Sequence, residues 1–529
     1  MLDVMSSHFS AIMLGDCGGS FIAALDVGTT TVRCQIFNSS ADTVGAAQKQ
    51  IRLHYPHPGW VEMKPDEIFA DILQVIRNAV ETAKIPYAQI KSLGISTQRA
   101  TFVTWKKDTG ECLHNFITWK DLRAREFLNA LNASWRMIFF RFGALLIYWL
   151  TRNKKFGMGS KLKIMSSHVS GRFLWVLQNI ESVKKALKSD NLMFGTLETW
   201  LIYKLTGSCQ YVTDISNASA TGFYDPFDLN WGTVAKLLRI PVRCLPMVVE
   251  NDYDFGNVDE SFFGVPIKIA CVMADQSSSM IGSCCFANND LKITLGTGAF
   301  LNVNTADKIQ PSLNGMYPLI AWQLGKDLVY MSEVPCPDAG SLVEWLQNAG
   351  FICEASTSSQ LAASVEDSDG VFFIPAFSGL GPPISNENAG TGFIGIKPTT
   401  RREHIVRAVL ESIVYRMVLC YDLLKSERNA NYNSIRVDGG LSNSSFICQS
   451  LADMSRLPVT KMETTDITVL GVAYLSGLKC GFWSNKEDLT KLKKVTESFE
   501  PTRDQNKIEM NKNNLNLWIR AARRFYSWY

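Results

Sequence analysis

The chain has 529 residues, of which 46% are hydrophobic and 19% are charged, and its formal net charge is +3. A single domain takes about 150 residues, so this length predicts about two to four domains. The small net charge gives no bulk electrostatic reason to expect a nucleic acid or a membrane surface as a partner.

The thirteen cysteines form no CxxC pair, and the six histidines are scattered along the chain. A zinc site needs clustered ligands, so neither residue type predicts one. Cysteines without a disulfide framework in a long chain indicate reduced thiols that pack as small hydrophobic groups. We therefore expect a cytoplasmic protein.

The N-terminal residues 1–19 have neither a basic start nor a long apolar core, so they do not resemble a signal peptide. We expect a mobile leader that ends where the first strand begins. The next block, FIAALDVGTTTVRCQIF, is an apolar run that ends in Asp26, turns at Gly28 and returns with alternating apolar residues. This pattern predicts a β-hairpin with a polar tip.

Helical spacing of apolar residues follows in PDEIFADILQVIRNAVETAK, with Asp66 as the expected N-cap. KSLGIST then predicts a strand. Further along, MIFFRFGALLIYWL (residues 137–150) is apolar but only 14 residues long and contains Arg141. A membrane span needs about 20 residues, so we expect a buried helix here and no membrane span.

The second half repeats this order of elements. IKIACVMADQ predicts a buried strand ending in Asp275, and DLKITLGTGAFLNVN predicts a second hairpin. Residues 402–427 have the spacing of a helix, and NSIRVDGG predicts a strand. Two further helices are expected to begin at about Ser442 and about Thr468. A last helix is expected at the C-terminus, docked on the second domain. The repetition predicts two α/β domains, 20–283 and 284–529, that face a shared cleft.

Each predicted domain has a hairpin tip rich in glycine and threonine, at residues 28–31 and 296–298. Turn amides and threonine hydroxyls donate hydrogen bonds to phosphate oxygens. Either tip alone is better explained as an ordinary turn, whereas the two together predict a clamp for a triphosphate. The glycine turn at 438–440 follows a strand end, where ligands bind in open α/β sheets, and suits a flat adenine.

Asp26 and Asp275 each end an apolar strand, which we interpret as one strand in each domain. A carboxylate at such a position is costly unless it is ligated or paired, although each residue is equally compatible with a turn or cap aspartate. Mg²⁺ accepts one or two carboxylates together with phosphates and water. Asp275, beside Gln276, is the better candidate to accept the proton of an attacking hydroxyl.

An ordered set of motifs over residues 20–529 resembles the FGGY carbohydrate kinases, and glycerol kinases in particular. The motifs are LDVGTTTVR, STQRAT, ITWKDLR, GTLETWLIYKLTG, YVTDISNASATGFYDP, MADQSSSMIG, ITLGTGAFLNVNT, FIPAFSGLGPP and VDGGLSNSSFICQ. STQRAT also resembles the substrate motif of one divergent type of glycerol kinase.

The resemblance implies two actin-like, ribonuclease H-like domains that close over ATP, Mg²⁺ and a small polyol, and it allows a homo-oligomer. It implies that Asp275 is the general base, that Arg99 and Gln276 bind the polyol hydroxyls, and that Trp119 and Phe300 form apolar walls. It assigns Mg²⁺ to Asp26 and Asp275 through water. The implied nucleotide contacts are Thr29, Thr30, Thr31, Arg33, Thr297, Gly340 and Gly440.

The sequence departs from the glycerol kinase pattern at several ligand positions. The usual glutamate after the arginine is Ala100, and the usual tyrosine falls near Ser167. Glu344 and Ser444 replace a glutamine and an asparagine on the nucleotide side, and PPISNENAGTG lacks the usual tryptophan. Loss of the carboxylate is expected to weaken glycerol binding by about 1.5–3 kcal/mol. The site is then either a weak glycerol site or one shaped for a bulkier acceptor.

Three functions fit these observations, and we favour the first. The first is an ATP-dependent kinase for glycerol or a related polyol. The second is a catalytically weak or inactive nucleotide-binding protein of the same fold, which the lost ligands favour and the retained Asp26 and Asp275 disfavour. The third, an actin-like or chaperone-like ATPase, is disfavoured by the segments TQR, WKDLR and ADQ.

Overall fold

The structure is a computed structural model that describes residues 19–529. The predicted leader lies almost wholly outside the described residues. The strands are β1 (Phe21–Val27), β2 (Thr31–Phe37), β3 (Thr43–Gln50), β4 (Glu62–Met63), β5 (Ile90–Thr97), β6 (Phe102–Lys106), β7 (Phe116–Ile117), β8 (Leu192–Thr196), β9 (Val212–Asp214), β10 (Tyr224–Asp225), β11 (Asn230–Trp231), β12 (Met247–Val249), β13 (Asn257–Val258), β14 (Ile267–Ala274), β15 (Leu291–Leu295), β16 (Ala299–Asn304), β17 (Tyr317–Leu324), β18 (Asp327–Cys336), β19 (Phe372–Ile374), β20 (Gly392–Ile394), β21 (Ile435–Asp438), β22 (Val459–Met462) and β23 (Val495–Phe499).

The helices alternate with these strands in both halves of the chain. They are α1 (Pro65–Ala83), α2 (Arg125–Ala133), α3 (Trp135–Thr151), α4 (Lys154–Ser160), α5 (Val169–Asn179), α6 (Glu181–Lys188), α7 (Leu197–Leu205), α8 (Ile215–Ser219), α9 (Thr233–Leu238), α10 (Glu260–Phe263), α11 (Asp275–Gly282), α12 (Gly340–Asn348), α13 (Ser358–Ala363), α14 (Arg402–Arg428), α15 (Ser445–Ser455), α16 (Ile467–Lys479), α17 (Lys486–Leu492) and α18 (Gln505–Ala522).

Two large sheets share one plan, which confirms the predicted pair of α/β domains. The first has the order β13-β14-β5-β1-β2-β3, and the second has the order β17-β18-β16-β15-β21-β22-β23. In the first sheet, β1 pairs antiparallel with β2 on one side and parallel with β5 on the other, and β14 continues the parallel part. In the second sheet, β15 pairs antiparallel with β16 and parallel with β21, and β22 continues the parallel part. The predicted boundary at 283/284 falls between α11 and β15, and the boundary itself stays a prediction.

One interpretation of the strand ends was wrong. Asp26 lies on β1 and Asp275 follows β14, and both strands belong to the first sheet, with β5 between them. Because β1, β5 and β14 run parallel, their carboxyl ends meet at one edge of that sheet. The two carboxylates therefore belong to the same side of the cleft.

Most predicted helices begin and end close to their expected positions. Helix α1 begins at Pro65 with Lys64 as its N-cap, so the expectation that Asp66 caps it was wrong. Proline suits the first helical position because it needs no amide partner there. Helix α18 docks on the second domain through buried Trp518, whose indole nitrogen donates to the carbonyl of Phe373 at 2.8 Å.

The two halves of the molecule share a core at α11 and α16. A Cβ atom at Gly471 of α16 would overlap the carbonyl of Ser278 in α11, and one at Gly282 would overlap the carbonyl of Ile467. The two helices therefore touch through their backbones at glycine, which no larger residue would permit. Helix α16 also packs on β1, β5 and β14, so an element of the second half stabilises the first sheet.

The expectation of a buried helix at 137–150 was wrong in one respect. The segment is helical, but Trp135 is 70% exposed, Phe139 67% and Leu150 76%, while Met137 and Ala144 alone of this helix are buried. Apolar residues on all sides of a helix do not reveal which side meets the protein. In residues 19–529, no helix combines the length and apolar character that crossing a membrane requires.

The cysteines of residues 19–529 are all free, and most of them are buried. Burial raises the pKa of the Cys34 and Cys420 thiols to about 12. These thiols are therefore protonated at neutral pH and pack as small apolar groups, as the sequence predicts.

Candidate active site

The carboxyl ends of β5 and β14 bring the first two candidate residues together. Arg99 follows β5 by two residues, and Asp275 is the first residue of α11 directly after β14. Nε of Arg99 lies 3.2 Å from Oδ1 of Asp275. The main-chain amide of Gln276 donates to the same carboxylate oxygen at 2.7 Å, which fixes its orientation.

A second carboxylate, missed by the sequence analysis, holds the other end of Arg99. Glu333 lies on β18 of the second sheet, and its Oε2 atom is 2.9 Å from Nη2 of Arg99. Glu333 is only 5% exposed, and Asn302 donates to it at 2.8 Å. The sequence signal was Glu333 in the middle of the largely apolar strand DLVYMSEVPC, since a buried charge needs a partner.

Burial and the neighbouring charges shift the pKa values of this ion cluster. Burial raises the pKa of Asp275 above its usual range, with Arg99 acting against the rise and Glu333 adding to it. Burial opposes the charge of Arg99, yet Glu333 and Asp275 together raise the pKa of its guanidinium. A carboxylate with a raised pKa is a stronger proton acceptor, which suits a general base.

The two predicted apolar walls each contact a predicted polar ligand. The guanidinium carbon of Arg99 is 5.6 Å from the ring centre of Phe300. The indole nitrogen of Trp119 donates to the hydroxyl of Thr29 at 2.9 Å, which links Trp119 to the first glycine–threonine hairpin. Both aromatic rings are therefore positioned by residues that the sequence analysis assigns to the same site.

Ala100 occupies a strained position beside a buried arginine. Its φ is 59°, in the left-handed region that non-glycine residues rarely adopt. Its carbonyl accepts a hydrogen bond from Arg172 at 2.6 Å, and Arg172 also donates to the carbonyls of Thr118 at 2.5 Å and Ser167 at 3.0 Å. One side chain thus ties together three segments that the resemblance assigns to the polyol.

Arg172 was also missed by the sequence analysis. It is fully buried, and burial lowers its pKa to about 9. An arginine in a helix is normally expected to face solvent, and the sequence VSGRFLWVL does not show which face of the helix packs against the protein. The neighbouring His168 is also desolvated, which lowers its pKa to about 4 and keeps it neutral.

The amide oxygen of Gln276, a predicted polyol ligand, is engaged inside the protein. It accepts from Nζ of Lys292 and from the hydroxyl of Thr294, each at 3.2 Å. Lys292 is fully buried and lies 3.5 Å from the carboxylate of Asp438. This network links Gln276, which follows β14 of the first sheet, to Asp438 at the glycine turn after β21.

The first hairpin tip is held against the strand that leads to Arg99. The amide of Gly28 donates to the carbonyl of Thr31 at 3.0 Å, and the side chain of Gln98 donates to the carbonyl of Gly28 at 2.9 Å. Arg33 lies on β2, and its Nε is 3.6 Å from Asp466 of the second half. Thr30 forms the remainder of the tip, directly before β2.

The second hairpin tip packs against the start of α12. The carbonyl of Thr297 accepts from the amides of Ala339 and Ser341, each at 3.1 Å, and the amide of Gly340 donates to the carbonyl of Gly296 at 2.9 Å. A Cβ atom at Gly340 would lie 2.6 Å from that carbonyl oxygen, so packing requires glycine there. A Cβ atom at Gly440 would meet no protein atom within 4 Å, so Gly440 borders open space.

Asp26 has the properties of a cation ligand. Its Oδ1 atom is buried and has no hydrogen-bond partner in residues 19–529. Burial, with the charge of Asp275 adding to it and Arg33 opposing it, raises the pKa of Asp26 to about 7. A buried carboxylate oxygen without a partner is costly unless a cation or its water fills the gap, so the residues present fit Mg²⁺.

Comparison with known proteins identifies the family. Residues 21–282 match the N-terminal domain of the FGGY family of carbohydrate kinases, and residues 291–480 match its C-terminal domain. The chain belongs to the FGGY family of carbohydrate kinases. FGGY kinases are phosphotransferases that use ATP, and two α/β domains with a cleft between them are the FGGY fold.

Individual FGGY relatives cover nearly the whole chain. Glycerol kinase 5 of Mus musculus is 41% identical over 510 residues, which are 96% of this chain and 95% of that protein. Glycerol kinase 2 of Thermotoga maritima is 35% identical over 96% of this chain and 99% of its own length. The crystal structure of Plasmodium falciparum glycerol kinase with ADP superposes with a TM-score of 0.84 at 27% identity, covering 96% of this chain and 98% of that chain.

Proposed function

We propose that this FGGY kinase transfers the γ-phosphoryl group of ATP to a primary hydroxyl of glycerol or a related small polyol. The observation that carries the proposal is the cluster of Asp275, Arg99 and Glu333 at the carboxyl edge of the first sheet. Similarity to named glycerol kinases, one of them with ADP in its structure, supports the same reaction class.

In the proposed mechanism, Asp275 accepts the proton of the acceptor hydroxyl as that oxygen attacks the γ-phosphorus atom of ATP. The bond from this phosphorus to the β–γ bridging oxygen breaks, and ADP leaves. Its raised pKa makes it a better base, and the Gln276 amide keeps its second oxygen free to turn toward the acceptor. Arg99 donates to another acceptor hydroxyl and is held in place by Glu333. Positioning and charge stabilisation supply most of the rate in such transfers.

The phosphate chain of ATP is assigned to the two hairpin tips. Amides and hydroxyls of Thr29, Thr30, Thr31 and Thr297 would donate to its oxygens, and the open space beside Gly440 suits the adenine. Asp26 and Asp275 would hold Mg²⁺ through water, and the ion would supply neutralisation of the phosphate charge.

A catalytically weak nucleotide-binding protein of the same fold is the second candidate. Ala100 in place of a carboxylate and Ser167 in place of a ring hydroxyl favour it, since they remove acceptor ligands. The shared fold alone does not decide between the two, because function depends on the site.

The decisive experiment compares wild type and Asp275→Asn for ATP consumption against glycerol, other polyols and sugars. Loss of a general base is expected to lower kcat by about 10²- to 10⁴-fold while ADP affinity stays unchanged. Glu463→Gln, an exposed change of the same kind, is the control. Turnover of Asp275→Asn within a few-fold of wild type would refute the base assignment, and no turnover of wild type on any acceptor, with ADP still bound, would favour the second candidate.

A further inference from the structure

The solvent side of α3 has a continuous row of large apolar side chains. They recur three or four positions apart and are between 48% and 70% exposed: Trp135, Ile138, Phe139, Phe142, Leu145, Leu146 and Trp149. This spacing places them on one helix face over about four turns. A surface helix normally presents polar side chains to water, so an apolar face in solvent is unusual.

The chain around this face is strongly basic. No aspartate or glutamate occurs between Glu126 and Glu181, whereas eight lysines and arginines do: Arg136, Arg141, Arg152, Lys154, Lys155, Lys161, Lys163 and Arg172. Lys155 and Lys163 pair with carboxylates from other segments. Arg152 and Lys154, at the C-terminal end of α3, are exposed and have no carboxylate partner in residues 19–529.

An apolar groove adjoins the N-terminal half of the same helix. It has a volume of about 450 Å³ and is lined largely by leucines, among them Leu131, Leu174 and Leu237. Arg136 of α3 and Arg239 also line it, so cationic groups border the apolar lining. Helix α3 contributes only Arg136 and the buried Met137 to this groove, so the groove lies beside the exposed apolar face and is not part of it.

We propose that this face of α3 is a docking surface for bilayers that contain anionic lipids. Helix α3 has 17 residues, fewer than the roughly 20 that a span takes, so it would lie in the plane of the interface. Trp135 and Trp149 stand near its two ends, and tryptophan side chains favour the boundary between headgroups and acyl chains. Arg152 and Lys154 would meet anionic headgroups.

Charge favours a bilayer over a second copy of this chain. Both ends of α3 carry cations and no acid, through Arg136 at one end and Arg152 and Lys154 at the other. Two copies that paired through this face would bring like charges together whichever way the helices ran. The net charge of +3 conceals this surface because acids elsewhere in the chain compensate for it.

The test is flotation of the full chain with phosphatidylcholine vesicles, with and without about 30% phosphatidylserine. We expect binding to the anionic vesicles only, and release by salt. The double variant Phe139→Asp/Leu146→Asp should lose at least about tenfold in vesicle affinity, and Arg152→Gln/Lys154→Gln about fivefold per cation. The changed side chains are exposed, so melting temperatures should match wild type.

Matched controls change equally exposed residues elsewhere. Met247→Asp/Ile396→Asp introduces the same charges at side chains 57% and 60% exposed, and Lys84→Gln/Lys91→Gln removes two exposed cations. Both controls should bind anionic vesicles as wild type does. The proposal is overturned if wild type does not float with anionic vesicles, if the α3 variants float equally well, or if light scattering shows a lipid-free dimer that Phe139→Asp/Leu146→Asp separates.

Discussion

Nη2 of Arg99 lies 2.9 Å from Oε2 and 3.0 Å from Oε1 of Glu333, so an arginine of the first sheet is paired with a carboxylate of the second. The same guanidinium contacts Asp275, and its side chain is 12% exposed. A residue that is paired across the cleft changes its surroundings when the two sheets move apart. In the proposed mechanism, Arg99 would therefore couple acceptor binding to the relative position of the domains.

Glu333→Gln is expected to lower kcat/KM for the best acceptor by about 10- to 150-fold, because Arg99 loses a charge-assisted bond of about 1.5–3 kcal/mol. The negative charge of Glu333 raises the pKa of Asp275, so its removal should also move the acid limb of the pH–rate profile to lower pH. Steady-state kinetics across pH measure both effects. An unchanged profile and an unchanged kcat/KM would show that Glu333 does not act on the reacting groups.

Ala100→Glu is expected to improve glycerol use by restoring a carboxylate beside Arg99. Alanine already accepts the positive φ at this position, so glutamate adds no new type of backbone strain. A gained charge-assisted bond of about 1.5–3 kcal/mol corresponds to a KM for glycerol about 10- to 150-fold lower. Ala100→Gln, similar in shape but neutral, should improve KM much less. Equal effects of the two variants would contradict the electrostatic explanation.

Gly440→Ala and Gly340→Ala should separate nucleotide binding from stability. A Cβ atom at Gly440 would meet no protein atom within 4 Å, so the melting temperature of Gly440→Ala should equal that of wild type. Its affinity for ADP, measured by calorimetry, should fall about tenfold. At Gly340 the Cβ atom would press on the Gly296 carbonyl and destabilise the fold by about 1–3 kcal/mol. Gly143→Ala is the control, because a Cβ atom at this position of α3 would meet no atom within 4 Å. This variant should weaken neither ADP binding nor the stability of the fold. Unweakened ADP binding by Gly440→Ala would remove Gly440 from the nucleotide site.

His114 is expected to make stability depend on pH below about 6.5. Its Nδ1 donates to the carbonyl of Asn115 at 2.6 Å, its Nε2 pairs with the hydroxyl of Thr104 at 2.9 Å, and burial lowers its pKa from 6.5 to about 4. The unfolded chain therefore binds a proton that the folded chain excludes, and the free energy of unfolding falls as pH drops from about 6.5 to about 4.

For this single group the fall is on the order of 3 kcal/mol. Chemical denaturation at several pH values should show a shallower acid decline for His114→Gln than for wild type. His57→Gln, at an exposed position, should leave the decline unchanged. Parallel curves for wild type and His114→Gln would assign the acid sensitivity to other groups.

Much of the fold follows from local patterns in the sequence. Alternating apolar residues and glycine–threonine turns identify both hairpins, and helical spacing identifies α1 and α14. The ordered motifs identify the family, and Arg99 and Asp275 are brought together as expected because they follow adjacent parallel strands. These features depend on residues close in sequence, where side-chain size, polarity and backbone preference act directly.

The tertiary structure alone decided which distant groups meet. It paired Glu333 with Arg99, set Arg172 among the carbonyls of three segments, assigned the strands of Asp26 and Asp275 to one sheet, and turned the apolar face of α3 to solvent. A sequence pattern records that a face is apolar or that a charge lies in a strand, but not what covers that face or balances that charge. Those outcomes depend on packing between elements far apart in the chain, where burial and charge compensation act over the whole fold.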